Sequence, residues 1–282
     1  MTINKKNYYK QIAAETLEVI NKGYYINEKG ETVIIKKTIE KAVNETELVL
    51  DHKEIQANIK QNNKKYLSFH SNISVINDTV INTIINVRGK VEKENIIALN
   101  FASAKNPGGG FLNGANAQEE SIVRASALYK CLIKNNEFYK YHRLQNNPLY
   151  TDRMIYSPNV PVFRSNEGYL LLNPVECSFI TSSAVNAKVA RKRGIVEETI
   201  EKVMDSRINK ILTLMLKKEP KTIILGAFGC GVFENNPDMV SKIFASNIRK
   251  KLELFDNINI VFAIPDKSGE LIKIFKDRLN FS

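Results

Sequence analysis

Three short stretches carry residue types that could do chemistry. The first is Asn100–Gly110, NFASAKNPGGG. An apolar run ends there and enters a loop with Asn106, Pro107 and the consecutive glycines Gly108, Gly109 and Gly110. Glycine tolerates positive φ and lets backbone approach a ligand closely, and successive N–H groups in such a loop form an anion-binding nest. Three glycines in a row are costly in chain entropy, which favours a ligand role over a merely flexible connection. The second stretch is Gln118, Glu119 and Glu120. Acids at a helix start complement the macrodipole, and that alone would account for both. Beside a glycine loop they also form a carboxyl pair. Neighbouring carboxylates in a closed site raise one pKa and supply a general acid at neutral pH. The helix dipole opposes that rise, so the sequence leaves the sign of the net shift open. The third stretch is Gly226–Pro237, GAFGCGVFENNP. Gly229 and Gly231 would free backbone N–H groups for a diphosphate at a helix N-terminus. Phe228 or Phe233 could stack on a ribose or base. Asn236 and Pro237 read equally well as a helix cap and first turn.

The elements that must position these residues follow from periodicity. Residues 1–65 read as a helical extension. Tyr9, Ile12, Ala13, Leu17 and Ile20 fall at helical spacing before Gly23, a hairpin is predicted over 24–35, and helices over 38–44 and 52–62. From residue 66 to 282, apolar runs of strand length alternate with helical patterns. Strands are predicted at 66–69, 73–75, 96–102, 154–157, 160–163, 169–172, 177–181, 222–227 and 258–264. Helices are predicted at 79–87, 119–134, 188–216, 237–254 and 268–279. Continuous apolar strands between helices predict a sheet covered on both faces, a three-layer α/β/α sandwich.

Composition narrows the class. The chain has 282 residues, 43% hydrophobic and 25% charged, which excludes disorder and fibrous classes. No apolar run approaches the ~20 residues of a membrane span, so no membrane partner is expected. The net charge of +11 suits polyanionic company, but a Lys-rich soluble surface explains it as well. Segment 186–221 holds ten basic and five acidic residues, with Lys188, Arg191, Lys192 and Arg193 at its start. This reads as a solvated helix face, or more sharply as a rim for weak nucleic-acid or polymer contact. Cys131, Cys177 and Cys230 form no disulfide framework or zinc pattern, and a reduced, cytoplasmic setting is expected. Cys230 has no nearby histidine and reads as an inert thiol. Walker, dinucleotide-fingerprint, nucleophile-elbow and His/Cys metal patterns all fail.

Together the three stretches resemble the bacterial-type poly(ADP-ribose) glycohydrolases of the macrodomain superfamily. GGGFLNGANAQEE, Gly108–Glu120, is similar to that group's glycine-rich signature. GAFGCGVFENNP is similar to the diphosphate loop of macrodomains. LYTDRMIYSPNVPVFR (Leu149–Arg164) and GYYINEKGETVII resemble further segments of the group, so the likeness runs from about Tyr8 to Ile264. The resemblance implies a macrodomain with a mixed sheet, a helical N-terminal extension (1–65) and a catalytic domain (66–282). It implies hydrolysis of ribose–ribose bonds in poly(ADP-ribose), releasing ADP-ribose from the chain end, by a monomer with no metal or cofactor. In that family the last Glu of the signature is catalytic, which maps to Glu120. Glu119 would contact the ribose beside the scissile bond. Gly108, Gly109 and Gly110 would shape the loop near the distal ribose, with Asn100, Asn106, Pro107 and Gln118 close by. Gly229, Cys230, Gly231, Val232 and Phe233 would wrap the diphosphate. Phe228 stands where many relatives carry Trp. Two alternatives stay open: a hydrolase of ADP-ribose linked to protein or nucleic acid, and a non-catalytic ADP-ribose reader, which has no need of Glu119 and Glu120.

Overall fold

A computed structural model describes residues 4–50, 72–88 and 95–280. The elements in chain order are α1 (Lys5–Lys22), β1 (Tyr24–Ile26), β2 (Thr32–Ile34), α2 (Lys36–Glu45), β3 (Glu47–Val49), β4 (Ile73–Ile76), α3 (Val80–Arg88) and β5 (Ile96–Phe101). Then come α4 (Gln118–Ala125), α5 (Leu128–Lys134), α6 (Asn136–Gln145), β6 (Met154–Arg164), β7 (Leu170–Ser182), α7 (Ala187–Lys192) and α8 (Glu197–Lys217). The chain closes with β8 (Thr222–Leu225), α9 (Pro237–Arg249), β9 (Asn259–Ala263) and α10 (Glu270–Leu279).

Among the described residues the main sheet has seven strands in the order β3-β6-β7-β5-β8-β9-β4. Strands β7, β5, β8, β9 and β4 run parallel, while β6 pairs antiparallel with β7 and β3 antiparallel with β6 at the edge. Side-chain alternation splits the core between the two faces. Ile97, Leu99, Ile223 and Leu225 join the cluster under α8, α9 and α10, while Ile96, Ala98 and Ile224 join the cluster under α1 to α5. The result is the expected three-layer α/β/α sandwich. The neighbouring strands β5 and β8 send their chains to opposite faces, α4 on one and α9 on the other. In parallel sheets such a divergence opens a crevice beyond the strands' carboxyl ends, and both glycine loops sit there.

The extension is more than helical. β1 and β2 form the predicted hairpin, and β3 pairs with β6 in the main sheet. The predictions at 52–62 and 66–69 and the boundary at residue 65 lie outside the described residues.

Several predicted bounds change. The helix over 119–134 is two helices, broken where Ser126 bridges Val162 and its hydroxyl donates to Ile122 O. The helix over 188–216 is also two, parted at Gly194, φ +75°. The four short strands over 154–181 are two long ones, because Pro158 falls at a bulge between Ser157 and Val160, where the ladder is already interrupted. The helix α6 was not predicted, although its buried residues Phe138, Tyr139 and His142 lie at helical spacing.

Candidate active site

The first glycine loop folds back onto the start of α4. Gln118 ties the two ends together: its side-chain oxygen accepts the Phe101 N–H at 2.8 Å, and its Nε2 donates to Leu99 O at 2.7 Å. Both amide ends are spent on the backbone of β5. Gln118 therefore sets where the helix begins, and the expected substrate contact is not the job its geometry shows.

That anchoring brings Glu119 and Glu120 into the crevice, 3% and 8% exposed. Glu119 Oε2 accepts the Ser103 N–H at 2.7 Å, and Oε1 lies 3.4 Å from Asn100 Nδ2. Glu120 Oε1 accepts the Gly110 N–H at 2.9 Å, and Oε2 accepts the Ala117 N–H at 3.0 Å. Burial pushes the Glu119 carboxyl up to about 8, and the Glu120 charge adds to the rise. Hydrogen bonds from Ser103, Asn100 and Gly108 pull the other way. Burial wins over them, which settles for Glu119 the sign that the sequence left open.

Gly109 is required by these carboxylates. A Cβ at Gly109, φ +60°, would collide with Glu120 Oε1 and come within 3.2 Å of Glu119 Oε2. Asn100 is fully buried; its Nδ2 also donates to Thr181 Oγ1 at 3.1 Å, and its Oδ1 accepts no hydrogen bond among the described residues. Asn106 is exposed, and its carbonyl accepts the Gly109 N–H at 3.0 Å, holding the turn through Pro107 and Gly108.

The second loop is built differently. Gly229, φ +75°, is packed tightly: a Cβ there would lie 2.5 Å from Ala184 and 2.6 Å from Asn235 Nδ2. Asn235 is buried and holds Val185 O and Gly229 O at 2.7 and 3.0 Å. Among the described residues the N–H groups of Gly229, Gly231, Val232 and Phe233 donate no hydrogen bond. They form a ready anion nest. The Cys230 N–H differs, donating to Ala227 O at 3.1 Å, and burial pushes its thiol up to about 12. It is a thiol, not a nucleophilic thiolate. Phe228 is fully buried against Phe101, ring centroids 5.5 Å apart, so it packs on protein instead of a ligand. Phe233 stays half-buried, 6.1 Å from Tyr150, and Val232 is 78% exposed.

The basic cluster braces this second loop. The Lys188 N–H donates to Phe233 O at 3.0 Å, Lys188 Nζ meets Glu234 at 2.6 Å, and Arg191 donates to Glu234 O at 2.9 Å. Arg193 reaches across to Asn146 O at 2.6 Å. Beneath the crevice, the fully buried Arg207 pairs with Asp152 at 3.1 Å and donates to Ser183 O and Leu149 O, both at 2.9 Å. The charge pattern singled out Lys188, Arg191 and Arg193, but no motif marked Arg207.

Comparison with known proteins places this arrangement. Residues 13–165 match the model of the microbial-type PARG catalytic domain. Poly(ADP-ribose) glycohydrolase from Thermomonospora curvata is 34% identical, with a TM-score of 0.86 over 96% of this chain and 99% of that one. The same enzyme bound to the inhibitor ADP-HPD superposes with a TM-score of 0.85. The Deinococcus radiodurans glycohydrolase in complex with ADP-ribose is 30% identical, with a TM-score of 0.74 over 86% of this chain and 96% of that one. No curated protein sequence matched. The chain belongs to the microbial-type poly(ADP-ribose) glycohydrolase family.

Proposed function

We propose that the chain cuts the ribose–ribose O-glycosidic bond at the end of the polymer, with Glu120 moving the proton and Glu119 holding the ribose. As a member of its family the chain is a glycosidase that hydrolyses poly(ADP-ribose) and releases ADP-ribose. The observation that carries the residue roles is the packing of Gly109 against both carboxylates, which aims two buried acids at one loop.

With Glu119 pushed up to about 8, the pair holds one proton at neutral pH. Glu120 is the more exposed of the two and hangs from two backbone N–H groups. The proton the pair shares passes to Glu120, which delivers it to the leaving ribose oxygen and, once both carboxyls are ionised, takes one from the attacking water. Glu119, tied to Ser103 and Asn100, orients ribose hydroxyls, and the unpartnered Asn100 Oδ1 supplies an acceptor beside it. The free N–H groups of the second loop hold the diphosphate, whose charge stabilises the oxocarbenium-like transition state. One carboxyl thus serves both proton transfers, unlike the usual scheme with a separate nucleophile.

The test is release of ADP-ribose from poly(ADP-ribose) and from mono-ADP-ribosylated protein, by wild type and Glu120→Gln. Release from polymer by wild type alone is expected. Turnover of the mono-modified substrate at a similar rate would move the specificity to another linkage. A Glu120→Gln variant with wild-type turnover would remove Glu120 from the chemistry.

A further inference from the structure

We propose that Arg124, capped by Tyr9 of the N-terminal helix, is a positioning residue for Glu120. The inference rests on the role given to Glu120 above. Residues four apart share a helix face, so Arg124 lies one turn behind Glu120 on α4. Its side chain turns back along the chain that leads into the helix. Nη1 donates to Ala115 O at 2.6 Å, and Nη2 donates to Asn116 Oδ1. The next residue, Ala117, supplies the N–H that holds Glu120 Oε2. Arg124 therefore fixes the two residues whose placement decides where that N–H points.

The extension closes on the same segment at three points. The Tyr9 ring centroid lies 4.4 Å from the Arg124 guanidinium carbon. Thr16 Oγ1 donates to Arg124 O at 2.6 Å. Lys6 O lies 2.2 Å from where a Cβ at Gly114 would be, so the helix abuts that backbone directly. α1 is thus one wall of the device that aims the acid.

Charge points the same way. Arg124 is 5% exposed, and among the described residues no carboxylate lies within 4 Å of it. A buried cation without an ion pair is costly. Burial lowers its affinity for the proton, while Tyr9 and Glu120 sustain the charge. Arginine suits the place because its fork makes two fixed contacts at once, which a lysine cannot.

The experiment measures kcat and KM for release of ADP-ribose from polymer, together with the Kd of ADP-ribose, using the full chain. A small misplacement of a catalytic group costs on the order of 100-fold, so Arg124→Met should lose about that in kcat. The Kd of ADP-ribose should stay within about twofold, since binding groups are untouched. Arg124→Lys should recover part of the rate by restoring charge without the fork. Tyr9→Ala should lower kcat in the same way, and Tyr9→Phe should restore it. Wild-type kcat in Arg124→Met overturns the proposal. So does a Kd that worsens in step with kcat, or a lysine no better than methionine. If Arg124→Met fails to fold, Tyr9→Ala and Asn116→Ala decide: reduced kcat at constant Kd supports the role, and unchanged kcat overturns it. Glu120→Gln runs alongside. Should that variant turn over normally, the role of Glu120 fails, whatever Arg124 does.

Discussion

The two glycine loops leave neighbouring parallel strands at one end of the sheet, yet different things occupy the space beside their glycines. At Gly109 the molecule fills it with its own Glu119 and Glu120. At Gly229 it is filled by Ala184 and Asn235, while Gly231 has nothing within 4 Å. The first loop is closed from inside against two buried acids. The second is braced from behind, by Asn235, Lys188 and Arg191, and faces outward with unpartnered N–H groups. A glycine run thus reports that something comes close to backbone. Whether it is a side chain of the same protein or a ligand emerges only from the three-dimensional packing.

Substitutions at the first loop should be the most damaging. Glu120→Gln removes the proposed proton carrier, and general acid–base catalysis supplies about 10²–10⁴-fold, so kcat should fall at least that far with ADP-ribose binding kept. Gly109→Ala leaves both acids in place but forces a methyl group into them. Its expected loss is about 100-fold in kcat, since the carboxylates must shift. Alanine at a left-handed φ also costs roughly 1–2 kcal/mol, visible as a lower Tm. Near-normal turnover in Gly109→Ala would break the contrast between the loops.

The proton on the acid pair gives the next test. Glu119 titrates at about 8 in the fold against an ordinary 4.5, so turnover should fall about tenfold per pH unit above 8. The stability sign follows from linkage: the folded state binds this proton more tightly than the unfolded chain. The contribution is full below about 4.5, shrinks as pH climbs to about 8, and is flat beyond. Thermal melts of wild type and Glu119→Gln at pH 5 and pH 9 read it directly. The variant should gain on wild type at the higher pH. A gap that moves the opposite way would show Glu119 ionised in the fold.

Much of this site is legible in the sequence because its signals are local. The glycine run, the acidic pair eight residues on and the Asn236–Pro237 start of α9 sit within single loops. The misread parts depend on distant partners. Pro158 falls just past a predicted strand end at 157, but the bulge in β6 absorbs it and the strand continues. Ser126 carries no breaker signal, and its bridge to Val162 ends α4. Gln118 looks like a ligand contact until its amide is seen clamped on β5. Phe228 looks available for stacking until Phe101 covers it. Arg124 and Arg207 give no signal in the sequence because the carbonyls they hold come from the fold. Gly194 lies inside the predicted helix over 188–216, and at its left-handed φ the helix divides.

The mildest substitution sharpens the comparison most. Gly231 has no positive φ and no neighbour within 4 Å, so alanine fits there without collision. Folding stability should change by no more than about 0.5 kcal/mol, the usual range for a surface position. If the space beside Gly231 belongs to the diphosphate, the added methyl stands between the ligand and the free N–H groups. That removes binding common to substrate and transition state, so KM should rise several-fold, about 3- to 10-fold, at constant kcat. Gly229→Ala, by contrast, must strain the backbone and push Ala184 and Asn235, and should lower Tm along with affinity. Equal KM values for wild type and Gly231→Ala would mean that the open side of this loop is not where the polymer lies. The two loops would then differ in packing without differing in purpose.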